Sequence, residues 1–103
     1  MANIDQRRRL VDDIIDAFLA SGKDTLRLKE LYELIAERHT VKLSGTWQAD
    51  VRKTLQCHAK SHKSYRGIAD IFSDVKWGVW KISETLPEGY PRKTIPREAY
   101  INE

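Results

Sequence analysis

Apolar residues recur every three or four positions in the first half of the chain and every second position later. Across residues 3–20, Leu10, Ile14 and Phe18 stand four apart with Val11, Ile15 and Leu19 beside them, which predicts an amphipathic helix. Asn3 with Gln6 three residues on reads as its capping signal and Gly22 as its stop. Thr25-Leu26-Arg27-Leu28 alternates but is too short to stand alone. A second helix is predicted from about Lys29 to Arg38, burying Leu31, Leu34 and Ile35 with Tyr32 at the edge of the stripe. Ser44-Gly45-Thr46 then breaks the chain and offers hydroxyl caps for a third helix, Trp47 to Ala59. After a polar loop the period falls to two. Ile71-Phe72-Ser73-Asp74-Val75 and Val79-Trp80-Lys81-Ile82 predict strands joined around Lys76-Trp77-Gly78, where glycine supplies a positive φ.

The order helix, short strand, helix, helix, strand, strand predicts an α+β fold. Its expected form is a small winged helix-turn-helix, three helices plus a two- to three-stranded wing sheet. A hairpin alone is marginal, so Phe72, Val79 and Trp80 must pack against the helices. With 103 residues there is room for one domain, expected at 1–83. Residues 84–103 contain Pro87, Pro91 and Pro96 and cannot form one continuous helix. They read as an extended C-terminal arm, draped over the domain by Tyr90, Ile95 and Tyr100.

Charge sharpens this outline. Residues 38–66 hold seven Lys/Arg against one acid, Asp50, while 1–37 and 67–103 are each slightly acidic. His39, His58 and His62 lie in the same basic window. An excess concentrated on one helix and its flanks is the footprint of a surface that meets a polyanion; the plain alternative is a solvated lysine-rich face. On a helical projection Val51, Thr54, Leu55 and His58 fall with Trp47 on a core stripe. The opposite side gathers Ala49, Lys53, Gln56 and Lys60, with Arg52 at its margin. Lys and Arg can donate to guanine, Gln can bond adenine, and Ala can touch a thymine methyl. In a helix-turn-helix the second helix enters the major groove N-terminal residues first, which makes Gln48, Ala49, Arg52, Lys53 and Gln56 the base-edge candidates. Lys60, Ser61, His62, Lys63, Ser64, Tyr65 and Arg66 suit phosphate contacts, with Lys76 of the wing as a further one. Trp77 reads as a packing residue. Arg7, Arg8 and Arg9 sit unfavourably at a helix N-terminus and need partners, either Asp12 and Asp13 or a phosphate.

Other chemistries find little footing. Cys57 and His58 are neighbours on a helix and point apart, and with His62 they do not complete a zinc set, so no metal and no cofactor is expected. The acids Asp12, Asp13 and Asp16 lack the surrounding groups of a nuclease centre, and no Gly-rich phosphate loop is present. The expectation is a binding module and not an enzyme, with no small-molecule substrate. No apolar run is long enough to span a bilayer, no secretory signal is visible, and a single cysteine suits a reducing compartment. A cytoplasmic, nucleoid-associated protein is expected.

The stretch Ser44–Gln56, the loop Ser61–Gly67, Asp70-Ile71-Phe72 and Gly78-Val79-Trp80-Lys81-Ile82 together resemble the winged-helix domains attached to bacterial restriction endonucleases. Those domains share a broad likeness with the HARE-HTH family of restriction and chromatin proteins. The likeness covers about residues 8–82. It implies duplex DNA as the partner, read by sequence or by modification, and a role as regulator or as accessory to restriction or defence. Where the family loop carries an acid, this chain has His62 and Lys63, which favours phosphate contact. The alternative from another class is a protein-interaction module, or a homodimer, using the acidic first helix and the arm. Tyr32, Trp77 and Tyr90 exposed as one patch would favour it.

Overall fold

The computed structural model describes residues 7–67 and 69–93. Its elements are α1 (Leu10–Ser21), β1 (Thr25–Arg27), α2 (Leu28–Arg38), α3 (Trp47–Cys57), β2 (Phe72–Lys76) and β3 (Val79–Ile82). The three strands form one antiparallel sheet in the order β1-β3-β2. The short alternating segment is thus a real strand, with Leu26 opposite Trp80. The hairpin turns at Gly78, whose φ of 73° a side chain would strain. Its carbonyl accepts the Leu28 N–H at 2.8 Å, tying the turn to the start of α2. A register shift between Asp74 and Lys76 bulges β2.

Burial follows the two periods. Ile14, Ile15 and Phe18 of α1 meet Leu31 and Ile35 of α2, Val51 and Leu55 of α3, and Phe72, Trp80 and Ile82 of the sheet. The rings of Phe18 and Phe72 stack at 5.9 Å. Only Phe72 of β2 is buried, so the rest of that strand projects beyond the core. Leu19, expected near the core stripe, is 58% exposed, close to Ile82 at the end of the central strand β3. Among the described residues, no helix is long and apolar enough to cross a membrane.

Several expected boundaries move for local reasons. Among the described residues the first helix begins at Leu10, where Arg9 is extended and its N–H donates to Asp12 Oδ2 at 2.7 Å. Asn3 and Gln6 lie outside the described residues. The helix stops where expected, at a left-handed Gly22. Thr46 gives no side-chain cap to α3; Ser44 Oγ instead accepts the Thr46 N–H at 3.2 Å and donates to Asp50 Oδ2 at 2.9 Å. The third helix ends at Cys57, short of Ala59. The returning chain takes its last carbonyls: Arg66 N–H donates to Cys57 O, and both Ile71 and Phe72 donate to His58 O.

Two aspartates of α1 are buried and act as cross-links. Asp13 accepts the Thr40 N–H at 2.9 Å, the Thr40 hydroxyl at 2.7 Å and the Val41 N–H at 3.1 Å, fixing the α2–α3 connection. Asp12, fully buried, accepts from Arg9 Nε at 3.0 Å and from the Arg92 N–H at 2.9 Å. Arg9 also donates to Gly89 O at 2.9 Å and lies 4.4 Å over the Tyr90 ring. The described part of the arm is therefore strapped across the start of α1. Ile95 and Tyr100, expected to help drape it, lie outside the described residues. Hydrogen bonding to Asp12 raises the Arg9 pKa above its ordinary value, against the opposing effect of partial burial.

Candidate nucleic-acid interface

The third helix is held by two side chains. Val51 and Leu55, four apart and both fully buried, fix its rotation, so Arg52 and Lys53 between them face away. Gln48, Ala49, Arg52 and Lys53 are exposed accordingly, while Gln56 is half-buried. Arg52 does not wave freely. Its Nη1 donates to the Tyr32 hydroxyl at 3.2 Å, and the Tyr32 ring stands edge-on to Trp47 at 5.7 Å. A residue of α2 thereby orients a cation of α3.

The connection after α3 is a series of tight turns. Ala59 O accepts the His62 N–H at 2.9 Å and His62 O accepts the Tyr65 N–H at 3.0 Å. His62 Nδ1 takes the Ser64 N–H at 3.0 Å. These bonds leave Lys60, Ser61, Lys63, Ser64 and Arg66 exposed, with His62 and Tyr65 half-buried. Acids from the sheet side answer the loop: Lys60 N–H donates to Asp70 Oδ1 at 2.8 Å and Ser61 Oγ to Asp74 Oδ1 at 2.9 Å. The Ser61 hydroxyl is thus already engaged inside the protein.

Between α3, this loop and the β2–β3 hairpin lies an open cleft of about 490 Å³. Arg52 and Gln56 enter it from the helix, His62 from the loop, and Asp74, Lys76 and Trp77 from the hairpin. Leu28 and Trp80 also line it. Six of the residues singled out from sequence, Arg52, Lys53, Lys60, Lys63, Arg66 and Lys76, are exposed cations on α3, its loop and the hairpin. Trp77 is not the packing residue expected from its type: it is 94% exposed. Asp74 escapes a reading of the sequence as a site residue. Its position opposite Trp80 in the strand register marks it as part of the cleft, but the register is set by the tertiary pairing.

Other candidates fall away from this face. Arg8 pairs with Asp13 and Asp16, and Arg9 with Asp12, so both are held internally rather than free for phosphate. His58 Nδ1 bonds Thr54 O at 2.8 Å, and its ring meets Tyr90 edge-on at 6.1 Å. Among the described residues no group of three or more His, Cys, Asp or Glu is arranged to hold a metal ion. Comparison with protein-family models, with curated proteins and with solved structures found no match.

Proposed function

We propose that this chain is a winged-helix DNA-binding protein in which α2 and α3 form the helix-turn-helix and β2–β3 the wing. In this reading α3 enters the major groove with Gln48, Ala49, Arg52, Lys53 and Gln56 toward the bases. Lys60, His62, Lys63, Ser64, Tyr65, Arg66 and Lys76 meet the flanking backbone, while the Ser61 hydroxyl stays on Asp74. The observation that carries it is the division of α3 into a fully buried side, Val51 and Leu55, and an open side bearing Arg52 and Lys53. The element order and the sheet order support the winged-helix assignment. The resemblance to restriction-associated domains adds a role as regulator or as accessory to a defence system.

Salt titration tests it. With about 4–6 phosphates neutralised, log affinity for duplex DNA falls with log salt at a slope near −4 to −5. A slope of about −4.5 lowers affinity roughly 500-fold between about 50 and 200 mM salt. No binding at the lower salt, or a slope near zero, removes the proposal. A second reading, a protein-interaction module, draws on the exposed Trp77 and Val75. It gains nothing from Tyr32 and Tyr90, which are half-buried against Trp47 and Arg9.

A further inference from the structure

We propose that the cleft between α3 and the β2–β3 hairpin receives one unpaired nucleobase of bound DNA, stacked on Trp77. This deepens the DNA-binding reading and rests on it. Trp77 holds an indole ring almost wholly in water at a turn where polar residues are the ordinary choice. Such a ring, beside a cationic surface, is a platform for a base, whose flat face stacks irrespective of sequence.

The cleft beside it has the composition of a ligand site, apolar walls with a few converging polar groups. Leu28 and Trp80 supply the apolar part, and its volume of about 490 Å³ lies in the range that small ligands occupy. The decisive group is Asp74. A carboxylate in the lining repels a phosphate, so the sugar–phosphate backbone is kept at the rim, where Lys76 can neutralise it. Asp74 Oδ1 already holds the Ser61 hydroxyl, and its other oxygen can accept from the exocyclic amino group of a base, while Gln56 offers an amide with both a donor and an acceptor. A base stacked and paired inside a duplex cannot reach the cleft without leaving the stack. A bulged base can. Cytosine and adenine present the amino group that Asp74 accepts; thymine does not.

The test is equilibrium binding, by fluorescence anisotropy at about 50 mM salt, of wild type, Trp77→Ala and Trp77→Phe. The probes are a fully paired duplex and the same duplex with one bulged cytosine or thymine. Wild type is expected to bind the cytosine bulge about ten-fold more tightly than the paired duplex, and the thymine bulge less tightly than the cytosine one. Trp77→Ala should erase the bulge preference and leave paired-duplex affinity within about two-fold, while Trp77→Phe keeps most of it. Equal binding of paired and bulged probes by wild type, with a normal salt slope, overturns the proposal and leaves duplex binding standing. Equal loss on both probes with Trp77→Ala also overturns it. Absence of binding to every probe overturns both readings together.

Discussion

Removing the Asp12 carboxylate should be among the costlier single changes in this domain. Asp12→Ala deletes the acceptor of the Arg9 N–H at 2.7 Å, of the Arg9 side chain at 3.0 and 2.9 Å, and of the Arg92 N–H at 2.9 Å. The first is a helix-start bond of the kind worth about 1 kcal/mol. Leaving the Arg92 N–H unpaired costs about 1–3 kcal/mol. The Arg9 guanidinium costs less than a fully buried cation would, because it is 31% exposed and can regain water. Together these give about 3 kcal/mol, against a total stability of about 5–15 kcal/mol for a domain. Urea denaturation followed by circular dichroism is the assay; at about 1.5 kcal/mol per molar, the midpoint should fall by about 2 M. Asp12→Asn keeps the shape and an acceptor oxygen and should lose about half as much. Because the Arg9 pKa is raised, its contribution is fully present below the ordinary arginine range. It is lost only as pH rises through strongly alkaline values. A destabilisation under about 1 kcal/mol, or no coupling between Asp12→Ala and Arg9→Ala in a double-mutant cycle, would refute the cross-link.

The remaining expectations concern the proposed interface. Lys53→Ala and Gln56→Ala should each alter sequence preference, by about 1–3 kcal/mol where a side chain bonds a base edge, as read by binding to a panel of selected sites. Lys63→Ala should weaken all sequences alike and reduce the salt slope by about 0.9; a change of preference instead would reverse the roles assigned to helix and loop. Tyr32→Phe removes the hydroxyl that receives Arg52 while leaving its charge. Affinity should fall by about two- to five-fold with the salt slope unchanged, and a changed slope would show that Tyr32 does more than orient Arg52.

Periodicity located the helices because each buries one continuous stripe, and a stripe is visible in one dimension; β2 buries Phe72 alone. Val51 and Leu55 determine the rotation of α3, and with it the exposure of Arg52 and Lys53, from their spacing alone. The glycines at 22 and 78 marked their turns for an equally local reason, a positive φ. Asn3 and Gln6 resemble a helix start on propensity. The start nearest to it in the described chain is instead set at Arg9, where Asp12 also binds a residue eighty positions away, which no window reads.

Tertiary structure decided the rest because it depends on partners distant in sequence. It buried Asp12 and Asp13 as cross-links, withdrew Arg8 and Arg9 from the surface chemistry, and gave Arg52 a tyrosine to lean on. It also lifted Trp77 into solvent and set Asp74 opposite Trp80, beside α3. The sequence determined which residue types are available and which way each helix faces, through local periodicity. Their assembly into one cleft required strand pairing and chain return, which bring together groups that no local pattern connects.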